Sequence, residues 1–310
     1  MIKKIFIYFL VFLLASVSLL SVLGYFGHNH WVLDAFSHFK WQYLVFLSIG
    51  TLILFPINKR VAFMILPFIL LLIAEVAPIY VGGNKNPELT DTVKIAGINL
   101  LTSNNQFEDV ETYIQENSPD IIVLQELNDL WELMLEPVLS DYEYRLSIPR
   151  EDNFGIAVFS KTEFSDLREL TIGEAGVPSI SGDFLIGDST ITLIATHPLP
   201  PVGSSYFNHR NLQLSELGRM VSEINNEVVV VGDLNTSSFS THYKKLIKES
   251  GLIDSRKGFG LLTTWPTWFS LARITLDHCL VSEGILVKSR EVGGHIGSDH
   301  LPIVIKIGMN

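Results

Sequence analysis

The chain has 310 residues, 47% of them hydrophobic, and a formal net charge of −11. Its first 90 residues carry +3, from Lys3, Lys4, Lys40, Lys59, Arg60 and Lys85 against Asp34, Glu75 and Glu88, which leaves −14 on the remainder. That balance lacks the basic footprint of a duplex-DNA binder, and a single cysteine, Cys279, excludes an intrachain disulfide.

Three apolar runs open the chain, at 5–26, 41–57 and 61–81. Each approaches the roughly 20 residues a helix needs to cross a bilayer. The second is the shortest and has Pro56 near its end. The first is read as a retained anchor, because it is long for a signal peptide and no small-x-small cleavage site follows it. Lys3 and Lys4 precede the first run, and Lys59 and Arg60 lie between the second and third. These cations place both positions on the cytoplasmic side, so three spans leave everything after residue 81 outside, periplasmic or extracellular. Glu75 is read as a residue near the outer interface that faces a neighbouring helix. Residues 1–82 are thus a transmembrane region, 83–91 a linker marked by Gly83, Asn84, Asn86 and Pro87, and 92–310 a globular domain large enough to bury its own core.

Within that domain, strands are predicted at 93–99, 121–125, 143–147, 155–160, 166–172, 181–186, 190–196, 227–231, 276–281 and 302–307. Helices are predicted at 107–117, from the spacing of Val110, Tyr113 and Ile114, and at 127–139, 211–223 and 242–249. Gly187-Asp188-Ser189 marks a hairpin. Helix–strand units mixed with hairpins give an α+β class of the α/β kind, a four-layer sandwich of two packed mixed sheets flanked by helices. Cys279 lies in an apolar run and reads as a small core residue.

Polar residues recur at the edges of these apolar strands. Asn99 closes the first, Gln125-Glu126 the second, His197 follows the run 191–196, and Gly232-Asp233-Leu234-Asn235 follows Val228–Val231. Asp277 opens the strand through Cys279, and Ser298-Asp299-His300 precedes the last one. Strand ends are rigid and the loops beside them are open to substrate, so this is where a sheet protein builds a site.

In this order the motifs resemble those of the endonuclease/exonuclease/phosphatase superfamily, with its DNase-I-like fold, over residues 93–307. Thr196-His197-Pro198-Leu199-Pro200-Pro201, Thr264-Trp265-Pro266 and the apolar amino-terminal third are most similar to a bacterial membrane-anchored branch. The resemblance implies a hydrolase that cleaves a phosphodiester or phosphomonoester by in-line attack of an activated water, with magnesium as cofactor and manganese as the alternative. It implies Glu126 as a metal ligand, Asn99 beside that ligand or the metal's water, and Asp299 as a second metal-side carboxylate. Asp233 is then the base for the attacking water, and Asn235 orients Asp233 or a phosphate oxygen. His300 contacts the non-bridging oxygens, Asp277 holds its ring, and His197 faces the phosphate as transition-state stabiliser or leaving-group acid. The residue types agree with this chemistry, since phosphoryl transfer needs charge neutralisation and an aligned water and magnesium favours a few hard oxygen ligands.

Other residues are read more plainly. His278 and His295 are structural. His209 and Arg210 either bind substrate phosphate or start a solvated helix. Trp265 and Trp268 either line a pocket or pack. Arg273 is displaced from the Arg-Ile-Asp segment common in the superfamily, which here reads Arg273-Ile274-Thr275-Leu276-Asp277. The implied partners are a phosphate-ester substrate (nucleic acid, phospholipid head group or small ester) and a lipid bilayer around the amino-terminal helices. No oligomeric state follows. The alternative function is a catalytically inactive membrane receptor or scaffold that uses the same fold for binding.

Overall fold

The computed structural model describes residues 2–309, with side chains from Lys4 onward. Its amino-terminal third holds α1 (Ile2–Leu23), α2 (Trp31–Ser37), α3 (Lys40–Leu54) and α4 (Lys59–Val76). With their flanking turns, the stretches Lys4–Phe26 and Lys59–Ile79 are long and apolar enough to cross a membrane. Helix α3, at 15 residues, is shorter than the roughly 20 that a span needs. Two candidate spans therefore stand where the sequence pattern gives three apolar runs. Leu14, Leu47, Leu54 and Leu72 meet in a common core, while Phe12, Leu19, Leu52 and Met64 face outward.

The helices run up, down and up. Lys40 Nζ, at the start of α3, donates to Ser21 O near the end of α1 at 2.6 Å. Tyr25 Oη donates to Glu75 Oε1, near the end of α4, at 3.0 Å. Glu75 also pairs with Lys244 of the globular domain, so it faces a neighbour as its position suggested. The α1–α3 connection and the end of α4 thus meet the domain, and the Lys4, Lys59 and Arg60 ends lie away from it.

The domain runs β1 (Val93–Asn99), α5 (Phe107–Asn117), β2 (Ile121–Gln125), α6 (Asp129–Leu139), β3 (Tyr144–Ile148), β4 (Ile156–Ser160), β5 (Phe164–Thr171), β6 (Pro178–Ile186) and β7 (Ser189–Thr196). It continues with α7 (Gly203–Ser222), β8 (Glu227–Asp233), α8 (Thr241–Ser250), β9 (Ile253–Asp254), β10 (Asp277–Val281), β11 (Leu286–Val292) and β12 (Ile303–Gly308). Two six-stranded sheets form, in the orders β11-β12-β1-β2-β4-β3 and β5-β6-β7-β8-β10-β9. Each is mixed, with β1 and β2 parallel in one and β7 and β8 parallel in the other.

Strand alternation explains the layers. Ile121 and Val123 point between the sheets, with Val229, Val231, Cys279, Ile303 and Ile305. Ile122 and Leu124 point the other way, under α5 and α6, with Ile114 and Trp131. Val228 and Val230 likewise pack outward beneath α7 and α8, on Leu217 and Leu246. Both faces of β2 and β8 are buried, so their sequences read as unbroken apolar runs.

Candidate active site

The two parallel pairs, one in each sheet, bring the polar strand ends together. In one sheet Asn99 is paired with Gln125, so Glu126 follows directly beside it. In the other, Asp277 stands opposite Asp233 across the β8–β10 pair, and His197 follows the end of β7. The last approach depends on Gly232. A Cβ there would lie 2.0 Å from Thr196 O, at a φ of +154°, so no side chain is tolerated. Glu126 and Asn235 both adopt left-handed backbone, with φ of +57° and +48°. Non-glycine residues hold that conformation only where their surroundings over-determine it, which is typical of functional positions.

The polar contacts form one network. Asn99 Nδ2 donates to Glu126 Oε1 at 3.0 Å and to Asp233 Oδ2 at 3.3 Å. Its Oδ1 accepts from Leu101 N at 3.0 Å, which fixes the amide's orientation. Glu126 Oε2 accepts from Thr102 N at 3.3 Å. Asp233 Oδ1 accepts from Asn235 N at 2.8 Å. Asp233 Oδ2 lies 3.6 Å from His197 Nε2 and 3.6 Å from His300 Nε2. His300 Nδ1 is 2.8 Å from Asp277 Oδ2. Asn235 Nδ2 donates to Pro198 O at 2.9 Å and sits 3.3 Å from His197 Nε2. Trp265 Nε1 donates to Asp299 Oδ2 at 2.9 Å.

Burial makes these charges strong. His300 is raised to about 10: burial works against its proton, but Asp277, Asp233, the Asp277 hydrogen bond and Asp299 together outweigh burial. His197 is also raised, because its contacts with Asp233 and Glu126 overcome burial and the repulsion of His300. Asp233 is lowered despite burial, since His300 and His197 flank it. The resting centre is thus a carboxylate between two imidazole rings, each of which it helps to hold a proton.

The cleft has a volume of about 400 Å³. Glu126, His197, Asp233, Asn235, Asp299 and His300 line it, so the structure brings six of the eight sequence-predicted residues to one surface. Asn99 and Asp277 stand directly behind, bonded to members of that set. A second, wholly different groove of about 510 Å³ lies between α1, α3 and the 261–273 loop, and its lining is mostly apolar. It holds no cluster of titratable groups and is not the chemical centre.

The donor set fits a hard divalent cation. Glu126 and Asp299 offer carboxylate oxygens to the cleft, the ligand type magnesium favours. Asp233, Asp277 and His300 also lie close enough to hold an ion. That proximity is accounted for by the His300–Asp277 hydrogen bond, which already occupies Nδ1 of the ring. Glu126, held by Asn99 and Thr102, could hold a cation through its cleft-facing carboxylate.

Other residues resolve differently. Arg210 neither reaches the cleft nor meets solvent; it is fully buried and pairs with Asp34 at 2.6 Å. His278 is buried with Nε2 2.8 Å from Thr236 O. Trp265 lines the cleft, whereas Trp268 is exposed and stacks on Phe269. Arg273 donates to Pro266 O and Thr267 O, and so braces the turn that carries Trp265. The sequence reading missed Trp31, Ala35 and His38, which form one wall of the cleft from the α1–α3 connection. The signal was present as polar density, since His28, His30, Asp34 and His38 crowd a short stretch between two apolar runs.

A model of the Endonuclease/Exonuclease/phosphatase family matches residues 96–300, and the chain belongs to that family. Among characterised proteins, the inositol phosphosphingolipids phospholipase C of Saccharomyces cerevisiae is 27% identical over 193 residues, 52% of this chain and 39% of that protein. The match thus spans well under half of that relative. Among solved structures, a humanized zebrafish (D. rerio) TDP2 superposes with a TM-score of 0.59 at 14% identity, covering 71% of this chain and all of that one. The human Nocturnin catalytic domain gives 0.59 at 19% identity, with 72% and 96% covered. A Bacteroides vulgatus member of the family gives 0.58 at 18%, with 71% and 100% covered. At these identities the structures establish the shared fold.

Proposed function

We propose that this protein is a membrane-anchored, divalent-metal-dependent phosphodiesterase whose substrate is the head-group ester of a membrane lipid. The observation that carries the reading is the set of charges gathered at one cleft: half-buried Glu126 held by Asn99, and buried Asp233 between His197 and His300. A binding scaffold has no need of that arrangement, because each buried charge costs desolvation unless it meets a complementary group.

A divalent metal on Glu126, with Asp299 nearby, would supply charge neutralisation at the phosphate and a more acidic water. The chain's own residues do the rest. His300, charged and held by Asp277, and His197 on the opposite side would clamp the non-bridging oxygens. Asp233 is a weak base while both rings press on it. A bound phosphate would draw the rings' N–H groups toward its own oxygens and raise the basicity of Asp233, so that its carboxylate takes the proton of the attacking water. Asn235 holds Asp233 through its backbone N–H and approaches His197 through its amide, which keeps base and clamp in register. His197 is placed to protonate the leaving oxygen.

Lipid is favoured over nucleic acid on two counts. The domain's −14 charge disfavours a polyanion, and a wall of the cleft comes from the connection between two apolar helices. The likeness to a sphingolipid phospholipase C points the same way. The test is a hydrolysis panel on the full chain in lipid nanodiscs, comparing inositol-phosphate and choline-phosphate sphingolipids, glycerophospholipids, single- and double-stranded DNA, and RNA, with and without magnesium. Magnesium-dependent release of a phosphorylated head group supports the lipid reading; cleavage confined to nucleic acid overturns it.

A further inference from the structure

Helix α2 belongs by sequence to the membrane region, yet its one charged residue, Asp34, is spent on the domain. Asp34 is fully buried, as is its partner Arg210. Arg210 Nη2 donates to Asp34 Oδ2 at 2.6 Å, and Ser240 Oγ donates to Asp34 Oδ1 at 2.6 Å. One turn on, His38 Nδ1 lies 2.8 Å from Ser237 Oγ. Asp34 is the only carboxylate paired with Arg210 among the described residues. A buried guanidinium without its counter-charge is strongly unfavourable, so the globular domain is electrostatically incomplete without α2.

From behind the cleft, Arg210 also touches one residue of the reaction centre. Its Nη1 donates to Asn235 O at 2.9 Å. Asn235 is therefore pinned on both sides of its left-handed backbone, by Asp233 at its N–H and by Arg210 at its carbonyl. From the same helix, Trp31 and Ala35 line the cleft together with Trp265, Pro200, Pro201 and Val202. This part of the wall is apolar, in contrast with the charged floor at Asp233.

We propose that α2 is part of the catalytic centre: Asp34 is a positioning residue that acts through Arg210 on Asn235, and Trp31 with Ala35 forms the specificity wall that receives an apolar substituent of the substrate phosphate. The substrate half of this proposal rests on the phosphodiesterase reading above; the Asp34 half does not. A purely structural clamp would require only the Asp34–Arg210 pair. The additional bond to the Asn235 carbonyl couples that clamp to the residue that orients Asp233.

The test uses the full chain in detergent micelles with magnesium and aryl phosphodiesters that differ in their second substituent, methyl or long alkyl. Asp34→Asn keeps size and removes the charge. We expect kcat to fall about 10- to 100-fold with KM close to wild type, the loss typical of a small misplacement of a reacting group. Asp34→Asn combined with Arg210→Gln should be no worse than Arg210→Gln alone, because one acts through the other; Arg210→Lys serves if Arg210→Gln fails to fold. Hydrogen exchange should quicken at 234–240 in Asp34→Asn while the body of α7 stays protected. Trp31→Ala should raise KM for the alkyl ester several-fold more than for the methyl ester. Leu52→Ala, on the exposed face of α3, should change none of these. Wild-type kcat together with wild-type exchange at 234–240 in Asp34→Asn, or additive losses in the pair, would overturn the positioning role. An equal KM effect on both esters would overturn the wall. If the wild-type chain hydrolyses no phosphodiester, the functional reading fails, and the exchange measurement still decides whether Asp34 orders the Asn235 segment.

Discussion

Replacing Asp277 with asparagine should turn His300 from a permanent cation into a group that titrates near neutrality. In the native protein His300 is raised from an ordinary 6.5 to about 10, because Asp277 and Asp233 overcome burial. At pH 7.5 that corresponds to roughly 300 protonated rings for each neutral one, and the shift is worth roughly 5 kcal/mol in favour of the charged form. Asparagine still accepts a bond from the ring at the 2.8 Å contact, so the imidazole keeps its place while its largest favourable charge disappears and burial remains. The assay is kcat/KM against pH, which reports ionisations of the free enzyme. Wild type should hold its activity through neutral pH and lose it only near pH 10. In Asp277→Asn the falling limb should move down by two units or more, while the acid-side plateau drops less than about tenfold. The stability consequence has a definite sign. A raised folded-state value contributes stability fully below pH 6.5 and loses it as pH rises through about 10, so the variant should be most destabilised at low and neutral pH. His300→Ala alone should cost about as much as the Asp277→Asn/His300→Ala double variant, since the two act as a unit. An unchanged pH profile in Asp277→Asn, or additive losses, would refute the pairing.

Glu126→Gln should raise the magnesium concentration needed for half-activation by about 10- to 100-fold, and an unaltered titration would remove Glu126 from the metal site. Asp233→Asn should lower the rate by roughly 10²–10⁴ with little change in KM; near-native turnover would exclude it as the base. Gly232→Ala places a methyl against Thr196 O and should destabilise the fold by at least ~1–3 kcal/mol, visible as a lower thermal midpoint, whereas a native midpoint would contradict the close approach of β7 and β8. With α3 crossing as well as α1 and α4, reporter fusions should behave as cytoplasmic after residue 58 and as exported after Gly83; the reverse pattern would show that only α1 and α4 cross.

Much of the domain was legible because its central strands are buried on both faces. The runs at 93–99 and 121–125 coincide with β1 and β2, and the polar residues at the strand ends mark the cleft. The misses have physical causes. Edge strand β11 carries Lys288, Arg290 and Glu291 and a bulge between Val287 and Ser289, which breaks the alternation that marks a strand. The first turns of α7 begin at Gly203, with φ +81°, and continue through Ser204, Ser205, Tyr206 and Asn208, residues of middling to low helix propensity. Helix α2 spans seven residues, too few for a periodic signal. Arg210 was unreadable locally because its partner lies 176 residues earlier. Its burial follows from how the amino-terminal helices pack on the domain, which no local pattern encodes.

The proposed reaction is hydrolysis at phosphorus by a water aligned on Asp233. The most direct measurement is a single turnover of a sphingolipid phosphodiester by the full chain in heavy-oxygen water with magnesium, read by mass spectrometry of both products. The label should enter the phosphorylated head group and not the released alcohol, with no turnover after chelation of the metal and release slowed roughly 10²–10⁴-fold in Asp233→Asn. Label in the alcohol, or equal release by Asp233→Asn, would contradict it.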